Sequence, residues 1–184
     1  MELLNFIDGK FVPSQSGRFF YKTSPFDQSS LATVTLSNAL DVVTALQSAK
    51  KARLDWQAQS FEQRAETLNK LADFFELNME LYSFQEALFQ GLPAEFAKKY
   101  NMTAAINILR ACAKSVCDRS EGEVLRDPTG VVGIITSWNL SLKLVVERLA
   151  PTLAAGNVCV IKISDLSPIT GQILGVDGGM SVLK

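Results

Sequence analysis

Val131-Val132-Gly133-Ile134-Ile135-Thr136 and Val158-Cys159-Val160-Ile161, with the helix-prone stretch Leu142–Ala155 between them, decide the fold of this chain. Each apolar run has strand length and no polar alternation, so the pattern predicts two strands buried on both faces. The intervening stretch ends in Gly156-Asn157, a helix-stop signal. A connection of that length is too long for a hairpin; it makes a right-handed crossover that leaves the strands parallel, a βαβ unit. Two parallel strands are too few to close a sheet. The outer strand edges and the apolar face of Leu142–Ala155 are therefore expected to be partly wet, a surface that favours self-association or docking on an intact subunit.

Upstream of this unit the patterning changes twice. Asn5–Val12 alternates around Asp8-Gly9, two residues that tolerate positive φ, which predicts a short antiparallel pair of Leu4–Ile7 with Lys10–Val12. Phe19–Lys22 and Leu31–Thr35 read as further extended pieces, broken at Ser24-Pro25. From Asn38 the spacing becomes helical. Asn38 with Asp41 caps a helix carrying Val42, Ala45, Leu46, Ala49 and Trp56, and Ser60 with Gln63 forms a capping box for a helix carrying Leu68, Leu71, Ala72 and Phe75. A third helix, Met79–Gln90, stops at Gly91. A fourth, Ala94–Cys117, has Tyr100, Ala104, Ile108 and Cys112 at four-residue intervals. The polar stretch Arg119–Asp127 leads into the first buried strand. The fold class is α/β: an incomplete Rossmann-like parallel βαβ preceded by a β arm and a helical segment. Its parts are a β arm over 1–37, a helical segment over 38–126, a partial cofactor-binding unit over 127–166 and a tail over 167–184.

Composition narrows the chemistry. The 184 residues carry 18 Lys+Arg against 19 Asp+Glu and no histidine. The near-zero net charge gives no basic footprint for nucleic acid. Without histidine there is no Ser-His or Cys-His nucleophile pair and no ordinary zinc site. Cys112, Cys117 and Cys159 are too sparse for a disulfide scaffold and read as reduced thiols. No apolar run reaches the roughly 18 residues of a membrane span, and the first residues lack a signal-peptide pattern, so a cytoplasmic location is expected.

In open α/β sheets ligands bind beyond the carboxyl ends of the strands. That rule points to Ser137-Trp138-Asn139 after the first strand and Lys162-Ile163-Ser164-Asp165 after the second, at one edge. Asn139 offers amide donors to an oxygen that gains charge; Lys162 and Asp165 offer a cation and an acceptor suited to ribose hydroxyls or a phosphate. The same residues equally suit plain turns and a solvated charge pair.

These residues bring out a resemblance. NFIDGKFV, SPFD, DVVTALQSAKKARLDW, RAETLNKLADFFELN, DPTGVVGIITSWNL, APTLAAGN and VCVIKISD, in this order over about residues 5–170, resemble the N-terminal part of the NAD(P)-dependent aldehyde dehydrogenase superfamily. The resemblance implies oxidation of a small-molecule aldehyde to a carboxylic acid with NAD or NADP through a Cys-bound thiohemiacetal. It implies an oxyanion-hole role for Asn139, cofactor contacts for Thr136 and Trp138, and an adenosine-ribose contact for Lys162. Asp165 stands where many members have Glu, which leaves the choice between NAD and NADP open. Ser137, Ser141 and Ile163 replace prolines usual in the family, so looser loops are expected.

The family's pyrophosphate turn, general-base glutamate and nucleophilic cysteine all follow this region and are absent from the sequence in hand, so the active site is expected to be incomplete and the isolated chain inactive. Cys159, inside an apolar strand, is expected to be buried and no substitute. The tail Thr170–Gly179 resembles the closing strand and turn of short-chain dehydrogenases, TGQ-x-L-x-VDGG, although no YxxxK motif accompanies it. The chain thus reads as a truncated aldehyde dehydrogenase fused to a fragment of a second oxidoreductase. A nucleotide-binding or subunit-interaction fragment without catalysis, or the non-functional product of a disrupted gene, are the alternatives.

Overall fold

The computed structural model describes residues 1–118 and 127–174. Residues 119–126, most of the polar stretch before the first buried strand, and residues 175–184, which include Gly178-Gly179, lie outside the described residues.

The β arm forms as its local chemistry dictates. Strands β1 (Glu2–Leu3), β2 (Asn5–Ile7) and β3 (Lys10–Val12) open the chain, and β2 pairs antiparallel with β3. Asp8 and Gly9 sit at φ 51° and 74°, the two positive values that a tight primed turn requires. Strand β4 (Phe19–Thr23) pairs antiparallel with β5 (Ser30–Thr35), and β1 adds parallel to the far side of β5.

Helix α1 (Ala39–Gln57) begins at Asn38, whose side chain accepts from the Leu40 and Asp41 N–H groups while Asp41 accepts from the Asn38 N–H. Asp41 also fastens the arm to the helix: its carboxylate accepts from the Ser14 hydroxyl at 2.6 Å and the Gln15 N–H at 2.9 Å. Desolvation pushes this carboxyl up, but the bonds from Ser14, Gln15 and Asn38 together outweigh it and hold it below the ordinary range. Helix α2 (Phe61–Leu77) carries the Ser60–Gln63 capping box and buries Leu68, Leu71, Ala72 and Phe75, as the spacing predicts. Helix α3 (Met79–Gln90) ends at Gly91, left-handed at φ 75°, which caps the Ala87 carbonyl.

The next helix differs from its expected form. Ala94–Phe96 (α4) passes into a π-helical stretch, Ala97–Met102, before α5 (Thr103–Cys117). The residues buried are Ala105, Ile106, Leu109 and Ala113, whereas Tyr100 is exposed and Ala104, Ile108 and Cys112 lie on the flank. The wider π turn rotates everything after it relative to a straight α-helix. A four-residue count begun at Tyr100 therefore runs beside the buried face.

The βαβ unit is present as read. Strand β6 (Val131–Ile135) runs parallel to β7 (Val158–Lys162), in register Val131 to Val158 through Ile135 to Lys162, with α6 (Ser141–Ala154) between them in sequence. Two expectations about its surfaces are corrected. Strand β6 is not buried on both faces: Ile134 points inward, while Gly133 and Ile135, on the opposite pleat, are exposed. Pleating sends alternate residues to opposite faces, and only one face of β6 is well covered. Conversely, the apolar face of α6 is dry. Leu142, Val145, Val146, Leu149 and Leu153 are all essentially inaccessible because α5 and α2 pack on them. One buried apolar cluster joins β1, β5, the helices and both parallel strands.

The tail begins differently from its extended reading. Ile169–Leu174 forms a short helix, α7. Pro168 precedes it, and a proline's fixed φ and missing N–H are compatible with a helix start and cost a strand its ladder bond. No helix among the described residues is long and apolar enough to cross a membrane.

Candidate functional site

The carboxyl edge of the β6–β7 pair is assembled by two loops. The first, Thr136–Leu140, leaves β6; the second, residues 163–168, leaves β7. They are joined at their origin, where the Thr136 N–H donates to the Lys162 carbonyl at 3.2 Å. At the other end of the strands Asn157 performs the equivalent task, accepting from the Gly130 N–H at 2.8 Å and the Thr129 hydroxyl at 3.0 Å.

The five residues singled out by sequence lie on these two loops and strand ends. Thr136 is buried, and its hydroxyl oxygen has no hydrogen-bond partner among the described residues. A buried hydroxyl left unpaired is costly, so this atom has room for a further hydrogen-bond partner. Trp138 is half exposed. Asn139 is exposed and accepts from the Ser137 hydroxyl at 2.8 Å through Oδ1, an arrangement that orients its amide while leaving the NH2 donors uncommitted among the described residues. Lys162 and Asp165 face each other, Nζ to Oδ1 at 2.7 Å, with both side chains mostly in solvent. An exposed pair of this kind contributes at most about 1 kcal/mol, so it opens readily to a polar ligand.

Two of the three residues that stand where the family usually has proline make buried contacts. Ser141 is fully buried and donates to Glu86 at 2.6 Å. Ile163 packs so closely on Gly171 that its Cδ1 lies 2.8 Å from where a Cβ on that glycine would stand. Ser137, the third such position, is exposed and donates to the Asn139 side chain.

Sequence reasoning missed Glu86. It sits on α3, wholly buried, and receives donors from α3 itself, the π-helical stretch, the start of α6 and the segment after β7. Its one local signal is position: Glu86 shares a helical face with Ser83, Ala87 and Gln90, beside the buried Phe89.

None of the three thiols lies on the two loops. Cys159, in β7, is 2% exposed, and burial pushes its thiol up to about 12. Cys117 is exposed, and Cys112 is half buried with its thiol raised by burial. Under native conditions at mildly alkaline pH, a thiol reagent is expected to modify Cys117 first and Cys112 slowly, and to reach Cys159 only with unfolding. Mass mapping of the labelled peptides checks this; rapid native labelling of Cys159 would contradict the buried assignment.

The sequence profile of the aldehyde dehydrogenase family matches residues 11–176. The chain belongs to the aldehyde dehydrogenase family. The match runs past Thr170 into the segment that reads as a short-chain-dehydrogenase ending. Among curated relatives, the chain is 34% identical over 174 residues to an aldehyde dehydrogenase of Paracoccus denitrificans, covering 89% of this chain and 34% of that one. It is 32% identical over 180 residues to acetaldehyde dehydrogenase 2 of Cupriavidus necator, covering 92% of this chain and 36% of that protein. The chain thus spans about a third of the length of these relatives. Among solved structures, PnpE in complex with nicotinamide adenine dinucleotide superposes with a TM-score of 0.89 at 30% identity, over 96% of this chain and 39% of that one. An aldehyde dehydrogenase from Bartonella henselae superposes at 0.90 with 23% identity, over 100% of this chain and 41% of that one, and shares the fold.

Proposed function

We propose that this chain serves NAD(P)-dependent oxidation of an aldehyde to a carboxylic acid, and that its part is the cofactor-facing edge together with the oxyanion donor. The observation that carries the proposal is the joining of the two loops at one carboxyl edge, with the buried Thr136 hydroxyl unpartnered between them. That orphaned donor and the solvent-facing Lys162–Asp165 pair fit a polyhydroxylated nucleotide. Lys162 donates to ribose hydroxyls and Asp165 accepts from them. Thr136 and Trp138 lie along the cofactor. The Asn139 amide donates to the aldehyde oxygen as that oxygen gains charge. The nicotinamide, when bound, accepts the hydride.

Covalent catalysis also requires a thiolate and a base near the reacting carbon. The thiols sit on α5 and within β7, and no histidine is present. Assayed alone, these 184 residues are therefore expected to bind cofactor without turning over aldehyde.

Calorimetric titration of NAD and of NADP into the purified chain tests the reading. Saturable binding is expected, weakened about tenfold in Lys162→Ala, the equivalent of one charge-assisted hydrogen bond. Mixing the chain with NAD or NADP and a panel of aldehydes is expected to give no NADH or NADPH. Absence of binding heat in folded protein would overturn the cofactor assignment, and steady NADH or NADPH formation would overturn the assignment of inactivity.

A further inference from the structure

We infer that Glu86 is a positioning residue for this edge, a single buried carboxylate that locks the loop bearing Thr136, Trp138 and Asn139 to the segment bearing Lys162 and Asp165. The inference rests on the preceding reading for its functional meaning, but the lock itself stands on the hydrogen bonds.

Glu86 is 0% exposed. Its Oε2 accepts from the Ser141 hydroxyl at 2.6 Å, the Asn101 amide at 3.1 Å, the Ser167 hydroxyl at 3.5 Å and the Gln90 amide; its Oε1 accepts from the Thr170 hydroxyl at 2.6 Å. Ser141 follows Asn139 by two positions and Ser167 follows Asp165 by two. The two hydroxyls also touch each other at 2.9 Å, and the Gln90 amide reaches both. Asn101 extends the lock: its Oδ1 accepts the Lys143 N–H at 2.8 Å. That bond caps a helix start at which Leu140 provides no side-chain cap.

A carboxyl acceptor matches this site: the Asn101 and Gln90 amides can only donate, and the Ser141, Ser167 and Thr170 hydroxyls are placed to donate to it. Every group converging on it is a neutral donor. The nearby charges are engaged elsewhere: Lys98 with Glu80, Lys143 with Glu147, and Lys162 with Asp165. Burial pushes the Glu86 carboxyl up, while the bonds from Ser141, Thr170, Asn101 and Ser167 pull the other way. Glutamine in its place keeps the size but replaces one acceptor oxygen with an NH2, so either the amides at Oε2 or the Thr170 hydroxyl at Oε1 lose the acceptor they bond.

Tryptophan fluorescence reads the lock directly and without cofactor. Trp56 is 1% exposed and Trp138 is 45% exposed, so acrylamide quenches Trp138 selectively in folded protein. Glu86→Gln and Ser141→Ala are each expected to roughly double the quenching constant of Trp138, with circular dichroism unchanged. Glu86→Gln/Ser141→Ala is expected to do no more than either single change, because both remove the same lock. A residue of purely structural importance would lower the melting temperature and leave quenching below the melt unaltered. Unchanged quenching in the folded variants overturns the inference; if Glu86→Gln does not fold, Ser141→Ala decides it. In the calorimetric titration, cofactor binding is expected to weaken about tenfold in Ser141→Ala. Loss of the quenching effect refutes the lock. Failure of the wild-type chain to bind NAD(P), with the quenching effect present, refutes only the cofactor reading.

Discussion

Trp56→Ala is expected to lower the unfolding free energy by about 4 kcal/mol, the range for deleting a large aromatic from a packed core. Trp56 closes α1, is 1% exposed, and donates through its indole N–H to the Leu153 carbonyl at 3.1 Å. The substitution both empties a cavity and removes one of the donors to a buried carbonyl, which keeps the Gly156 N–H at 2.9 Å. Because Leu153 lies in the last turn of α6, the damage falls on the joint between the helical layer and the parallel strands. Native proteins have only about 5–15 kcal/mol in hand. A large part of the population is therefore expected to unfold at modest urea concentrations. Trp56→Phe separates the two contributions: it keeps most of the volume and loses the hydrogen bond, for a cost of about 1–2 kcal/mol. Equal losses in the two variants would show that packing around the indole contributes little.

Arg64→Lys, ordinarily a mild change, is expected to cost about 2–3 kcal/mol. Arg64 is 7% exposed, and its guanidinium spans two helix ends. It donates to Gln59 carbonyl oxygen at 3.1 and 3.2 Å and to Gln57 carbonyl oxygen at 3.5 Å beyond and within the end of α1, and to Ala154 carbonyl oxygen at 3.2 Å at the end of α6. A cation there also meets the negative ends of both helix dipoles. A lysine ammonium is a point donor and does not bridge both ends at once. Gly156 shows how tightly the guanidinium is enclosed. A Cβ at that residue would stand 2.7 Å from Arg64 Nη1, and its φ of +80° already favours glycine. Urea denaturation monitored by circular dichroism checks the prediction; a loss below about 0.5 kcal/mol, the scale of a neutral surface change, would refute it.

Both predictions concern contacts that hold the carboxyl edge of the β6–β7 pair in place from behind. Trp56 and Arg64 secure the far end of α6, and Glu86 with Asn101 secures its near end. The edge residues are exposed or half exposed except Thr136, and little of their own bonding holds them. Their placement is therefore inherited from buried groups on α1, α2, α3 and the π-helical stretch.

What the sequence determined by itself is what depends on near neighbours. The Asp8-Gly9 hairpin, the caps at Asn38 and Ser60, the stop at Gly91 and the parallel β6–α6–β7 unit all follow from backbone sterics and hydrogen bonds within a few residues, or from an apolar run of given length. The edge loops bearing Thr136, Trp138, Asn139, Lys162 and Asp165 were legible for the same reason, since they are the ends of recognisable strands. The tertiary structure alone decided which faces are dry, where the π turn shifts the phase of α5, and what surrounds Glu86, Arg64 and Trp56. In sequence, Glu86 and Arg64 look like surface charges on amphipathic helices. Their burial is tolerable only because donors or acceptors from distant segments converge on each one, and that convergence is a property of packing, not of spacing along the chain.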